Sequence, residues 1–230
     1  MKAAVYVATR NLYPDLAPSI KALLMHSNVE KVYLLLEDDG IGYQLPPECE
    51  IRNVGGQKWF RKDGPNYESP WTWTVLLRSL FWHLFPALDR ILSIDADAFV
   101  LKDISHLWDL DMDGYLFAGV RETTALSTPE KPYFNAGVLM QNLALLRSSG
   151  RGYEMARALR TRKWRYPDQD VANAVCGGNF LELPPEYNAG KATAPYGDPV
   201  IRHFMDERRT YRDSEIYRYY RDLPWSEVRP

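Results

Sequence analysis

The sequence predicts an α/β domain in which a mainly parallel central sheet is flanked by helices, with a helical tail at the C-terminus. Three observations predict this fold class. Short apolar runs alternate with segments of helical periodicity along most of the 230 residues. The run KVYLLLE at residues 31–37 is almost continuously apolar, which is typical of a strand covered on both faces. The length suits one domain with a sizeable core and is short for two.

The predicted strands of the first half are apolar and rich in β-branched residues, and they span Ala3–Ala8, residues 31–37, residues 50–54 and Arg90–Ile94. Pro14 and Pro18 bracket the start of a helix between the first two strands. A second helix is expected to start at Ser69, whose side chain can accept a hydrogen bond from a free amide, and to stop before Pro86.

The second half continues the alternation. Strands are predicted at residues 115–120, 136–141, 180–183 and 200–204, of which the last two complete the sheet. Helices are predicted at residues 143–147, 153–162 and 168–176, and Gly177 ends the last of them. We place the domain at residues 1–205. Residues 206–230 are predicted to form a C-terminal helix and tail that packs its tyrosines on the domain.

Composition excludes several classes of protein. The formal net charge is −2, from 28 basic and 30 acidic residues, which argues against a general nucleic-acid or membrane-surface binder. No apolar stretch approaches the roughly 20 residues that span a bilayer, so we expect no transmembrane segment, and the N-terminus lacks the features of a signal peptide. Two cysteines, Cys49 and Cys176, cannot form a disulfide framework; a reducing compartment, the cytoplasm, is therefore expected.

Asp95 and Asp97 directly follow a predicted buried strand. Two carboxylates at this spacing can share a hard divalent cation, and the carboxyl ends of parallel strands are where α/β sheets bind ligands. The spacing alone is weak, because the segments 109–113 and 168–170 repeat it and a solvated loop explains it equally well. Position after a strand favours Asp95 and Asp97.

Arg78 is the one formally charged residue between Glu68 and Asp89. A guanidinium in so apolar a segment is costly unless it extends to water or meets an anion. The sequence leaves both alternatives open: a side chain that merely reaches solvent, or one that binds a phosphate or a carboxylate such as Asp95.

The remaining polar candidates lie near strand ends and helix starts: Asn135 and Gly137 in YFNAGVLMQN, Asp168, Gln169 and Asp170 in YPDQDVAN, and His203 in IRHF. Gly137 permits a close approach of backbone. Each of these residues also has an ordinary structural explanation. Acidic residues in a first helical turn are favourable through the helix dipole, and a lone His is more often structural than a ligand.

The order and spacing of these segments together resemble glycosyltransferase family 8, the retaining sugar-nucleotide transferases that include bacterial lipopolysaccharide galactosyltransferases and glycogenin. The resemblance runs from the first strand to about Tyr211. It is strongest in RILSIDADAFVLKDISHLWDLD, YFNAGVLMQN, YPDQDVAN and LPPEYN. It implies a single GT-A-type, Rossmann-like domain.

The resemblance also implies roles for individual residues. The metal ligands are expected to be Asp95, Asp97 and His203; the donor-binding residues Thr9, Asn11, Arg78, Asp95, Ala96, Asn135 and Arg209; and the catalytic residues Asp168, Gln169 and Asp170. Two departures from the family stand out. Thr9 lies near the place of an Asp that often holds uracil, and Arg209 takes the place of a Lys whose neighbouring Gly and Pro-Trp are missing here.

The implied activity is retaining transfer of a hexose, glucose ahead of galactose, from a UDP-sugar to an unknown acceptor: a glycan, a lipid-linked sugar or a protein. Two carboxylates and an imidazole favour Mn²⁺, or Mg²⁺, over Ca²⁺. Three alternatives stay open. A nucleotidyltransferase would usually show a glycine-rich loop, which ATRNLYPDL lacks. A non-catalytic nucleotide-sugar-binding module and a self-glycosylating enzyme like glycogenin, using a tyrosine of the tail, are the others.

Overall fold

The computed structural model describes residues 1–193, 197–205 and 210–228. Its strands are β1 Ala3–Ala8, β2 Lys31–Leu36, β3 Cys49–Asn53, β4 Arg90–Ile94, β5 Ala98–Val100, β6 Phe117–Arg121, β7 Phe134–Asn142, β8 Leu181–Glu182 and β9 Ile201–His203. Its α-helices are α1 Tyr13–Met25, α2 Phe81–Leu84, α3 Leu143–Ser148, α4 Arg151–Thr161, α5 Pro167–Cys176 and α6 Glu215–Asp222. Short 3-10 segments lie between several of them.

Seven strands form the central sheet in the order β3-β2-β1-β4-β7-β6-β8. Four of the strand pairings are parallel, and β7 alone of these seven runs against its neighbours β4 and β6. The prediction of a mainly parallel sheet is thus confirmed. Because β7 is reversed, its first residues lie at the same edge as the last residues of β1, β4 and β6. Four chain segments therefore bring polar groups to one edge of the sheet.

Helices cover both faces of the sheet, as expected. Alternate residues of β1 point to opposite faces, and all six residues of the strand are buried. One face packs on α1 through Leu16, Ile20 and Leu23. The other face packs on the 3-10 segment Trp73–Leu80 together with α2, α3, α4 and α5. Burial on both faces explains why the strand sequences are continuously apolar rather than alternating.

Two local predictions were wrong. Residues 201–203 do not complete the sheet; β9 pairs antiparallel with β5 in a separate two-stranded sheet, with Ala98 opposite His203. Ser69 does not begin an α-helix, because its hydroxyl accepts from the amide of Trp71 and closes a local turn instead. The 3-10 segment Trp73–Leu80 follows, and its aromatic and β-branched residues, Trp73, Thr74 and Val75, are weak α-helix formers.

The C-terminal segment packs on the domain, which confirms the expectation for three of its four tyrosines. Tyr211, Tyr217 and Tyr220 are buried in an aromatic cluster around Phe99, whereas Tyr219 is exposed. Arg212 of this segment forms a bidentate ion pair with the fully buried Asp15 of α1, at 2.8 and 2.6 Å. Across the described ranges, no helix is both long and apolar enough to cross a membrane.

Candidate active site

Three elements position the candidate metal ligands. Asp95 follows β4, and its amide donates to the carbonyl of Gly137 in β7 at 2.8 Å. A tight turn then brings Asp97 to the start of β5, because the amide of Ala98 donates back to the carbonyl of Asp95. The pairing of β5 with β9 places His203 beside this turn. The turn and the small sheet therefore bring together side chains more than 100 residues apart.

The ligand atoms of Asp95, Asp97 and His203 lie within 4.8 Å of one another. His203 Nε2 is 3.5 Å from Asp95 Oδ2 and 3.3 Å from Asp97 Oδ1. Ligand atoms bound about 2.0–2.3 Å from one ion are separated by distances of this order. Two carboxylate oxygens and one imidazole nitrogen are a suitable donor set for Mn²⁺ or Mg²⁺. The residues present thus fit a divalent metal.

Asn188 fixes the orientation of His203. Its Oδ1 lies 2.8 Å from His203 Nδ1, and the Asn188 side chain is fully buried. In the neutral imidazole that can bind a metal, an acceptor at Nδ1 selects the tautomer that carries its proton there, so Nε2 is the nitrogen that offers a lone pair toward the aspartates. Sequence reasoning missed this residue, although it closes the LPPEYN segment that carries part of the resemblance.

Gly137 is required where His203 and Asp95 meet. A Cβ at this position would lie 2.0 Å from Cε1 and 2.6 Å from Nδ1 of His203, and 2.9 Å from Asp95 Oδ2. No side chain fits in that space. The prediction that Gly137 permits close approach is confirmed, and the group that approaches is the imidazole itself.

Arg78 does not reach solvent. Only 6% of its surface is exposed, and the guanidinium binds two carboxylates. Nη1 donates to Asp168 Oδ2 at 2.9 Å and to the Ala136 carbonyl at 3.2 Å, while Nη2 donates to Asp95 Oδ1. Of the two alternatives left open by the sequence, the anionic partner is confirmed. Arg78 ties the end of β4 to the first turn of α5.

The charges of this cluster shift one another's protonation. Burial raises the pKa of Asp95, but the positive charges of Arg78 and His203 outweigh this effect and lower it to about 2. Burial lowers the pKa of His203, yet Asp97 and Asp95 raise it to about 9. For Asp168, burial raises the pKa, and Arg78 offsets only part of that increase. Without a metal, the opposite charges of a protonated His203 and an ionised Asp95 therefore hold the cluster together.

A chain of buried amides extends from the metal ligands to α5. Asn188 Nδ2 donates to Asn135 Oδ1 at 3.0 Å, and Asn135 Nδ2 donates to Glu122 Oε1 at 3.0 Å. Gln169 donates to the same Glu122 oxygen at 2.8 Å, and its own oxygen accepts from the Ala136 amide at 2.9 Å. Glu122 was missed from the sequence, although it follows the β6 strand as Asp95 follows β4.

These residues line a cleft of about 240 Å³ at the edge of the sheet. It contains the predicted residues Arg78, Asp95, Asp97, Asn135, Asp168, Gln169 and His203, together with Glu122. The structure therefore brings together most of the predicted site.

Four further predicted residues lie outside the cleft lining. Asp170 turns its carboxylate to the Tyr133 hydroxyl, at 2.6 Å, and to the backbone amides of residues 165 and 166. Thr9 and Asn11 lie just beyond the end of β1, where their side chains contact each other. Ala96 is buried in the turn between the aspartates. Arg209 lies outside the described residues. Roles for all five residues stay predictions.

A mostly parallel sheet with an Asp-x-Asp turn at its carboxyl edge is the GT-A architecture of glycosyltransferases. Two solved structures share the fold. The glycosyltransferase GlyE of Streptococcus pneumoniae superposes with a TM-score of 0.73, at 18% identity, over 99% of this chain and 61% of that one. The galactosyltransferase LgtC, solved with donor and acceptor sugar analogues, superposes with a TM-score of 0.69 at 16% identity, over 97% of this chain and 98% of that one.

The chain belongs to glycosyl transferase family 8, whose family model matches residues 8–208. Among curated relatives, glycosyltransferase GlyA of Streptococcus pneumoniae is 28% identical over 99% of this chain. The lipopolysaccharide 1,2-glucosyltransferase of Escherichia coli is 35% identical over 50% of it. The chain spans 36% and 39% of the length of these two relatives, respectively.

Proposed function

We propose that the chain transfers a hexose, glucose ahead of galactose, from a UDP-sugar to an acceptor with retention of configuration, and that it needs Mn²⁺ or Mg²⁺. The observation that supports this most is the convergence of Asp95, Asp97 and His203 at the carboxyl edge of the sheet. Family membership supports the sugar-nucleotide donor. The cytoplasm is the proposed location, in keeping with two free cysteines.

A metal held by these three ligands would neutralise the negative charge that develops on the departing diphosphate. Asp95 and Asp97 supply carboxylate oxygens, and Asn188 keeps His203 Nε2 turned toward them. Arg78 keeps Asp95 ionised and in place through its Nη2 contact.

The first turn of α5 is proposed to hold the transferred sugar. Asp168 lines the cleft and is fixed by Arg78, so its remaining acceptor sites can bind sugar hydroxyls. Gln169 presents its side chain to the same cleft. Glu122 and the Ala136 amide hydrogen-bond to the two ends of the Gln169 amide. The dipole of this amide is therefore oriented before the donor sugar binds. A prearranged dipole stabilises the positive charge of an oxocarbenium-like transition state without reorganisation.

A donor screen tests the proposal. The purified chain is incubated with Mn²⁺ and a panel of UDP-, GDP- and ADP-sugars, and nucleotide release is measured. UDP-glucose is expected to be consumed fastest, and a chelator should stop release. Faster consumption of a GDP- or ADP-sugar than of every UDP-sugar would contradict the proposed donor. Undiminished release in chelator would contradict the metal.

Retention is tested separately on the product. NMR of the newly formed glycosidic linkage, or of the free sugar when water is the acceptor, gives its anomeric configuration. The α configuration of the donor should be kept in the first product. Formation of the β product would contradict retention while leaving the transferase function intact.

A further inference from the structure

A second cleft, of about 470 Å³, lies next to the candidate active-site cleft, and we call it the basic cleft. Its lining includes Lys131, Tyr133, Arg162, Lys163, Trp164 and Arg165. Tyr133 is part of the dividing wall, because its hydroxyl contacts Gln169 Nε2 at 3.3 Å and Gln169 lines the candidate active-site cleft. The two clefts are therefore separated by single side chains.

The lining of the basic cleft has four cationic side chains and one carboxylate, so it carries a net positive charge. Lys131, Arg162, Lys163 and Arg165 are all exposed, and none of them forms an ion pair with any residue of 1–193, 197–205 or 210–228. The one carboxylate in the lining, Asp170, accepts from Tyr133 and from two backbone amides. Four cations around a small concave space create a positive potential that favours a multiply charged anion.

The loop that carries three of these cations is held in place. Asn66, which is 2% exposed, donates from Nδ2 to the carbonyls of Leu159 and Arg162, both at 2.7 Å, and accepts from the Trp164 amide at 2.9 Å. The guanidinium of Arg162 lies 3.8 Å from the centre of the Trp164 ring. Because the buried Asn66 side chain holds this exposed, charged loop in place, less conformational entropy is lost when the loop binds an anion.

The position of the loop links it to the transferase site. It joins α4 to α5 and ends at Tyr166, directly before the turn that carries Asp168 and Gln169. Arg165 lines the basic cleft, whereas the adjacent Tyr166 lines the candidate active-site cleft. A ligand that lies across Tyr166 would contact both.

We propose that the basic cleft binds the phosphate of a sugar-phosphate acceptor, whose sugar extends across Tyr166 toward the donor. The chemistry is a phosphate ester beside a sugar ring: Arg162 and Arg165 provide forked donors for phosphate oxygens, and Tyr166, which the sugar crosses, provides an aromatic surface for the ring. The acceptor role rests on the proposed function, whereas the binding of a sugar phosphate does not.

Calorimetric titration in chelator tests the binding directly, because without metal the transferase site cannot hold phosphate through an ion. The probes are glucose 1-phosphate and its uncharged counterpart methyl glucoside. Arg162→Gln/Lys163→Gln should bind glucose 1-phosphate about tenfold more weakly than the parent, and the parent's affinity should fall with added salt. Methyl glucoside should bind far more weakly to the parent.

The matched control is Lys62→Gln/Arg157→Gln, which removes the same two positive charges from exposed positions outside both clefts. It should bind glucose 1-phosphate like the parent. Equal affinity of the cleft variant and the parent would overturn the proposal, and so would an equal loss in the control variant. Thermal melts confirm that both double variants fold.

A second arm distinguishes the source of the phosphate. Phosphatidylcholine vesicles that carry polyprenyl-phosphate glucose are compared with vesicles of phosphatidylglycerol alone. If the chain binds both glucose 1-phosphate and the polyprenyl vesicles, the proposal is supported for a lipid-borne acceptor. If it binds glucose 1-phosphate but not those vesicles, the proposal is supported for a soluble acceptor. Binding of phosphatidylglycerol vesicles without glucose 1-phosphate would overturn it. Failure of the donor screen with intact sugar-phosphate binding would contradict the proposed function alone.

Discussion

Two acidic segments share the Asp-x-Asp spacing and have different surroundings. The strand-end aspartates, Asp95 and Asp97, directly follow the buried strand β4, and their side chains are 29% and 28% exposed. The turn aspartates, Asp109, Asp111 and Asp113, lie in an exposed connection, where the Asp109 side chain is 69% exposed. The spacing is local, whereas the burial is a property of the fold.

The partners differ in the same way. Asp95 meets the buried guanidinium of Arg78 and the buried imidazole of His203. Among the described residues Asp109 forms an ion pair with the half-buried Lys2, and Asp111 accepts from the amide of Asp113 within its own turn. Partly buried carboxylates need positive charge beside them, and a metal ion can supply part of that charge in place of a protonated side chain. Exposed carboxylates are already hydrated by water. The comparison teaches that long-range partners, not spacing, distinguish a candidate metal site among Asp-x-Asp segments.

The largest difference is expected between Asp97→Ala and Asp111→Ala. Asp97→Ala removes a metal ligand, and UDP binding in the presence of Mn²⁺ should weaken at least about a hundredfold, since even outer partners of metal ligands are worth about 10–100-fold. Asp95→Ala should lose metal-dependent binding as well. Asp111→Ala should bind like the parent. Calorimetric titration measures all three.

Equal losses in Asp97→Ala and Asp111→Ala would show that the two segments do not differ as described. Undiminished binding in either strand-end variant would exclude that residue as a ligand. Thermal melts of the metal-free variants provide the control for folding.

Arg78→Met and Lys2→Met compare the cations of the two segments. Arg78→Met removes the cation shared by two partly buried carboxylates, Asp95 and Asp168, so the free energy of unfolding should fall by about 3 kcal/mol and donor affinity by roughly ten- to a hundredfold. This differs from a solvent-reaching arginine, whose loss would cost little. Lys2→Met breaks an exposed pair, worth at most about 1 kcal/mol. Chemical denaturation and UDP titration give both quantities.

Arg78→Lys sharpens this test. A point charge cannot bind Asp95, Asp168 and the Ala136 carbonyl together, so only part of the donor affinity should return. Arg78→Met with the stability and UDP affinity of the parent would contradict the central position that we assign to Arg78.

Gly137→Ala and Gly114→Ala compare a glycine beside each segment. In Gly137→Ala the new Cβ displaces His203, so Mn²⁺ affinity should fall about tenfold and stability by about 2 kcal/mol. Gly114 has a φ of +78° and open space around it, so Gly114→Ala should cost about 1 kcal/mol of backbone strain and leave Mn²⁺ affinity unchanged. Parent-like Mn²⁺ affinity in Gly137→Ala would contradict the packing of His203 against this glycine.

The pH dependence of Mn²⁺ affinity should be set by His203 beside the strand-end aspartates. With a pKa of about 9, His203 is mostly protonated at pH 7 and must lose that proton to bind metal. Mn²⁺ affinity should therefore rise roughly tenfold per pH unit between pH 6.5 and 8. His106→Asn, which changes an exposed histidine outside the cluster, should keep this slope. Titration at several pH values measures it, and a flat profile for the parent would contradict the contact with the aspartates.

The metal-free chain should show the opposite trend in stability. The raised pKa of His203 gives a contribution that is complete below about pH 6.5 and lost as pH rises through about 9. The lowered pKa of Asp95 gives one that is complete above about pH 4 and lost as pH falls through about 2. Thermal melts in chelator should thus show this stabilisation best between about pH 4 and 6.5, and His203→Asn should remove the alkaline part.

The sequence by itself determined the class of fold and the order of its elements. Buried strands need continuous apolar runs and helices need an apolar face, so Ala3–Ala8, Lys31–Leu36 and Arg90–Ile94 are predicted at or within one residue of their bounds. It also indicated Asp95 and Asp97, because a polar group directly after a buried strand stands out locally. Glu122 carries the same signal after β6.

Only the tertiary structure decided which groups meet. The pairing of β9 with β5, the 3-10 path that aims Arg78 at Asp95 and Asp168, and the Asn188 contact to His203 join residues far apart in the chain. No local pattern encodes such contacts, since a lone His, Asn or Arg fits many environments equally well. Charge compensation and burial then distinguish the strand-end aspartates from the turn aspartates, and both are properties of packing rather than of sequence spacing.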